Sequence, residues 1–250
     1  AGNHIWMRHF GQPLVATVSD FGRNGQPPTH PELLDWLAAE LIEHNWSMKH
    51  LHRLIVASNT YRQQSGMANA SEIAGDVDPD NQLLWRFNTL RMDAEVVRDS
   101  VLHVAGELDP TVGGQELDHA EGLTSKRRSL YYASHGESQM QMLDLFDAPN
   151  VCDCYRRTTS IAPQQALALA NNPLVLNCSR RLAARIVTDV IDAQPTDLIA
   201  AAFEQVLNRP PSAEELNLSR DFLTRQTAII TANPSDGSRE NDEGLVPPAA

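Results

Sequence analysis

Glu95 and Asp99, four residues apart in Asp93–Ser100 (DAEVVRDS), are the best acid–base pair in this chain of 250 residues. On a helix both carboxylates lie on one face. If burial pushes their pKa values apart, such a pair can divide the roles of acid and base, or of acid and nucleophile on a glycoside. Asp20 and Asp35 complete the set of candidate catalytic carboxylates. Arg91 and Arg98 supply the competing explanation, in which the same acids are partners of structural guanidiniums.

Nine histidines, seven of them before residue 104, raise the question of a metal. Spacing argues against a local site. His50 and His52 stand two apart on a predicted helix and point to nearly opposite sides, and His4 and His9 diverge as well. A site would be assembled by the fold from His4, His9, His30 or His103 with a carboxylate such as Asp20 or Asp35. The three cysteines, Cys152, Cys154 and Cys178, form no Cys-x-x-Cys-His, so the chain carries no haem-attachment motif. Two thiolates at Cys152 and Cys154 are too few for structural zinc without distant partners. A bridge from one of them to Cys178 and three unbridged thiols both remain open.

Two polar loops have the chemistry of anion binding. Arg156, Arg157, Thr158 and Thr159, followed by Pro163, Gln164 and Gln165, place guanidiniums, hydroxyls and amides just ahead of a helix start, where free backbone amides favour a carboxylate or sulfate. Asp20, Arg23 and His30 sit similarly ahead of another. Arg23, His30, Arg156, Arg157, Thr158 and Gln164 are therefore the candidate ligand or partner contacts. The alternative use of the arginines is to neutralise Asp20 and Asp35. Gly22 and Gly25 are expected to give the first loop its positive-φ positions. Asp20-Phe21-Gly22 matches the magnesium-binding triplet of kinases, but the phosphate loop and catalytic loop of that class are missing, as are hydrolase elbows and dinucleotide fingerprints.

With 20 Lys and Arg against 32 Asp and Glu, the net charge of -12 works against neutralising phosphates, so nucleic acid and anionic membrane are poor partners. No apolar run reaches the roughly 18 residues of a membrane span, and the first residues lack the order of a signal peptide.

These residues must be positioned mainly by helices. Thr29-His30-Pro31-Glu32 fits a capping box opening a helix with Leu33, Leu34, Leu37 and Leu41 on one face. Beyond Asn45-Trp46, Ser47 caps a second helix carrying Leu51, Leu54 and Ile55. Further helices are expected over 93–105, ended by Gly106, and over 163–171, 173–191, 196–207 and 213–230, the last behind a capping box at Ser212–Glu215. Strand signal is confined to Arg128–Ser134 and, more weakly, Pro13–Val18. The Gly- and acid-rich stretch 108–128 is expected to cross the surface as a long loop. The reading is a mainly α, multi-helix, two-lobed domain with at most a short β element. Its first lobe spans 1–149 and its second 150–232, with a polar, disordered tail over 233–250.

The run from His9 to Ser65 (HFGQPLVATVSDFGRNGQPPTHPELLDWLAAELIEHNWSMKHLHRLIVASNTYRQQS), taken with Arg156–Val175 (RRTTSIAPQQALALANNPLV), resembles the planctomycetal domain of unknown function found C-terminal to cytochrome c-like modules in large extracytoplasmic proteins. The resemblance extends from Asn3 to about Leu223. It departs from the family pattern at Asn3-His4-Ile5-Trp6, where an imidazole replaces the expected arginine. It implies an extracytoplasmic location, periplasmic or at the cell surface, and cytochrome c-like and other domains of a larger parent as partners. Both ends of the chain are expected to be fragment ends. The resemblance brings no activity with it. Two functions follow as alternatives: an accessory module that docks a ligand or partner, and a hydrolase, perhaps on polysaccharide, using paired carboxylates.

Overall fold

The computed structural model describes residues 1–66, 72–135, 138–149, 157, 160, 162–190 and 194–232. Among them it is mainly α, with ten α-helices, two 3-10 turns and only isolated β-bridges. No described helix is long and apolar enough to cross a membrane. The chain forms two compact units, Ala1–Asp93 with Asp147–Ser160, and Ala94–Phe146 with Ile161–Ala250. Pro149, where the sequence suggests a boundary between lobes, lies inside the segment that returns to the first unit.

In the first unit, α1 (Gly2–Phe10), α2 (Pro31–Glu43) and α3 (Met48–Ala57) pack on one another, and α4 (Glu72–Val77) follows. Apolar side chains at helical spacing meet there: Ile5, Trp6 and Phe10 from α1, Leu37 and Leu41 from α2, Leu51 and Ile55 from α3. Gly11 ends α1 at a φ of 77°, a left-handed conformation that favours glycine. Ser47 caps α3 as expected, accepting from the His50 amide. The box at Thr29 does not form. His30 is the N-cap of α2, and the Thr29 hydroxyl instead donates to the Leu14 carbonyl at 3.3 Å, because the preceding loop is pinned at that point by the Thr29 amide as well.

The second unit is built on α5 (Ala94–Val104), α6 (Gln141–Leu145), α7 (Pro163–Asn171), α8 (Pro173–Asp189), α9 (Pro195–Leu207) and α10 (Ala213–Ala232). Leu102 and Ala105 pack on Leu174 and Cys178, and the Cys178 thiol is free. The Ser212 box forms in both directions: the Glu215 amide donates to the Ser212 hydroxyl and the Ser212 amide to the Glu215 carboxylate. Two strand expectations fail. Residues 14–17 form bends, and within Arg128–Ser134 the turn Ser129–Tyr131 is 3-10, with Tyr132 in an isolated bridge to Leu117. The stretch 108–128 is tied down by a bridge from Asp109 to Arg127 and by a 3-10 turn at His119–Leu123 capped by Asp118. The calls on Cys152, Cys154, Arg156 and Thr158 and on the tail 233–250 lie outside the described residues.

Candidate functional site

Of the nominated carboxylates, Asp20 and Asp35 fall in the first unit and Glu95 and Asp99 in the second. Asp20 is exposed in the first unit, and its Oδ1 accepts from the Gly22 amide at 2.8 Å. The loop closes on itself, with the Thr17 hydroxyl donating to the Asp20 carbonyl and the Gly25 amide to the Gly22 carbonyl. Neither Gly22 nor Gly25 takes positive φ, contrary to expectation. Gly25 serves close approach instead, since a Cβ there would overlap the Asp20 carbonyl. Asp35 is exposed on α2.

Glu95 and Asp99 belong to the second unit, and Asp99 has a structural task. Its Oδ1 accepts from both the amide and the hydroxyl of Ser129, at 2.8 and 2.6 Å. Beside it Arg98 is fully buried. The guanidinium donates to the carbonyls of Gly122, Ser125 and Arg127, to the Ser129 hydroxyl and to the Tyr132 hydroxyl, which in turn donates to the Glu121 carbonyl. Burial lowers the Arg98 pKa from its usual value, against the opposing pull of Tyr132 and Asp99. Asp99 and Arg98 thus fold the segment 122–132 around α5.

The predicted anion loops are placed as follows. Arg23 is exposed, while His30 is half-buried with its Nδ1 3.0 Å from the Thr29 hydroxyl. Arg157 pairs with Asp93 at 3.5 Å. Gln164 is exposed at the start of α7, in the second unit. His30 lines a cleft with Trp6, Phe10, Leu14, Asn81 and Leu84, but at about 30 Å³ the space is on the scale of one water molecule. In the second unit a trough at Pro195, Arg220, Leu223, Thr224 and Thr227 is wider but has no acid, histidine or cysteine in its described lining.

Histidines meet in two places, one of them at the nominated His9. Of the nominated histidines, His103 is exposed in the second unit, and His30 has its Nδ1 beside the Thr29 hydroxyl. His9 on α1 meets His52 on α3, with Nε2 and Nδ1 2.7 Å apart, and packs edge-on against Tyr61. Burial, and then the neighbouring His52, lower the His9 pKa. His50, as its spacing from His52 requires, faces the other way. Its Nε2 lies 2.7 Å from Glu40 Oε2, and His44 Nδ1 lies 3.3 Å from the same oxygen. The His44 and His50 rings are stacked, with centroids 3.6 Å apart and planes 11° from parallel. Among the described residues, Glu40, His44 and His50 are the group whose donor atoms come close enough to share a metal ion. The available signal was the i, i+4 pair Glu40 and His44 at the end of one helix, with His50 one turn into the next.

A second residue missed by the sequence reading is Asn3, a buried amide on α1. It donates to the Val15 carbonyl and accepts from the Val15 amide, at 3.1 and 3.0 Å, which anchors the start of the polar loop to the helix.

Comparison with known proteins agrees with the resemblance at the level of the family. The model of PSD1, a protein of unknown function (DUF1553), matches residues 1–223. No curated protein and no solved structure matches. The chain belongs to the PSD1 (DUF1553) family.

Proposed function

We propose, with membership of that family as the premise, that the chain is a non-catalytic binding module of a larger extracytoplasmic protein that also carries cytochrome c-like domains. The observation that supports this most is the fate of the acids. Asp20 and Asp99 are engaged by backbone amides, and the described lining of the cleft at His30 includes none of the nominated carboxylates. General acid–base catalysis needs such groups within hydrogen-bond reach of a bound substrate. The candidate contacts of the module are Arg23, His30, Arg156, Arg157, Thr158 and Gln164, and its net charge of -12 favours neutral or basic protein surfaces over nucleic acid.

Calorimetric titration of the chain with the parent's cytochrome c-like domain tests the reading. Saturable binding that weakens in Arg23→Ala or Arg157→Ala, with the melting temperature retained, is expected. Turnover of chromogenic glycosides that Glu95→Gln abolishes in a folded chain would overturn it in favour of a hydrolase.

A further inference from the structure

We infer that Glu40, His44 and His50 form a binding site for one borderline divalent transition ion, Zn²⁺ or Ni²⁺, at the α2–α3 junction. The donor set is two imidazole nitrogens and one carboxylate oxygen, a combination suited to zinc, nickel or cobalt and foreign to the all-oxygen shells of calcium and magnesium. A tetrahedral ion with bonds of about 2.0–2.1 Å holds its donors about 3.3 Å apart. Glu40 Oε2 already stands 2.7 Å from His50 Nε2 and 3.3 Å from His44 Nδ1. An ion would replace the hydrogen bond of His50 to the Glu40 carboxylate and that of His44 Nδ1 to the Glu40 backbone carbonyl, 3.1 Å away. The stacked imidazoles must turn about their side-chain torsions to aim both lone pairs at one point, and His44, with 45% of its side chain exposed, has the room.

The backbone holds the three donors in register. Glu40 and His44 are one helical turn apart, and His44 closes α2. Asn45 and Trp46 then take consecutive left-handed conformations, at φ of 53° and 59°, an arrangement unusual for residues other than glycine. The Trp46 amide returns to the Leu41 carbonyl, and Ser47 fixes the first turn of α3 through the His50 amide. This tight reversal sets His50 upon His44. The site is partly exposed, so three protein donors leave a coordination position open to water or to a donor from a partner. It uses none of the loop residues named above and does not depend on the binding-module reading.

Isothermal titration of the chelator-treated chain with Zn²⁺ and with Ni²⁺ tests the site. One ion per chain is expected, with no binding of Mg²⁺ or Ca²⁺. Co²⁺ should give visible absorption of a nitrogen- and oxygen-ligated ion. His44→Gln and His50→Gln are each expected to weaken zinc by well over tenfold, since even the outer partners of metal ligands are worth about 10–100-fold. Their apo circular dichroism and melting should match the parent chain, because both changes are near the surface. His9→Gln with His52→Gln should leave the stoichiometry at one. Absence of zinc binding at roughly 100 μM ion, or affinity that survives His50→Gln and falls with the His9 and His52 changes, would overturn the assignment; 100 μM corresponds to about 5.5 kcal/mol of binding, a weak limit for a three-ligand site.

Discussion

Arg98 and the histidines of the α2–α3 junction are polar groups put to opposite uses. Arg98 has no exposed surface, and its donors are absorbed by carbonyls and hydroxyls of the segment 122–132. His44 and His50 keep 45% and 24% of their side chains in solvent and aim their nitrogens at one carboxylate oxygen. A buried cation whose every direction is filled by backbone organises a fold and offers nothing to a ligand. A half-exposed cluster of ring nitrogens around one carboxylate contributes little to stability and remains available. Charged or titratable character alone therefore does not mark a site; the destination of each hydrogen bond does.

The sharpest way to break this contrast is Arg98→Met. The shape is roughly kept, but the carbonyls of Gly122, Ser125 and Arg127 lose their donor, and each buried acceptor left unsatisfied costs about 1–3 kcal/mol. A loss of at least about 3 kcal/mol in urea unfolding is expected, with faster amide exchange concentrated in 117–132. A loss below about 1 kcal/mol would mean that the cage is decorative. Asp99→Asn is the milder cut at the same network. It weakens the acceptor of the Ser129 amide and hydroxyl, and about 1–2 kcal/mol should be lost. In the first unit, Glu40→Gln, measured by the same unfolding without metal, should change stability by no more than about 0.5 kcal/mol, the usual scale of a surface substitution.

The same contrast explains what could be read in advance. Helices with strong end signals were legible: α7 runs from Pro163 to Asn171 as expected, and α10 starts behind the Ser212 box. Local chemistry decides there, because the cap and its target lie three residues apart. Thr29 carries the same letters, yet its hydroxyl is drawn to Leu14, fifteen residues away. The aromatic run at Arg128–Ser134 has strand propensity, but its pairing is a single parallel bridge from Tyr132 to Leu117. Arg98 and Asp99 take its polar groups and bend it into a 3-10 turn. Helix α1 escaped notice because Ala1 gives it no side-chain cap and no proline opens it, whereas α7, which also lacks a side-chain cap, starts at Pro163. The histidine cluster was hidden for a related reason: the Glu40 and His44 pair is local, but His50 joins it only through two left-handed residues that no periodicity announces.

The smallest effect expected lies between the two extremes, at His9, which is half-buried and faces a second imidazole. With Nε2 2.7 Å from His52 Nδ1, one nitrogen must donate and the other accept, so protonating both rings sets two donors and two positive charges against each other. Burial is the larger cause and the charge of His52 the smaller, and both hold the His9 pKa below 6.5. The unfolded chain therefore binds the proton more readily than the folded one. Stability should be fully present above about pH 6.5 and decline as pH falls from there through the depressed folded value. The decline should be slight, because the site is not deeply buried. An NMR titration of the His9 ring should give a midpoint under 6.5. His52→Gln should raise that midpoint only part of the way, since the desolvation by Tyr61 and its surroundings persists. A midpoint at or above 6.5 in the unaltered chain would show that the two rings do not share a proton as drawn. Full recovery to 6.5 in His52→Gln would make the neighbouring charge, and not burial, the governing cause.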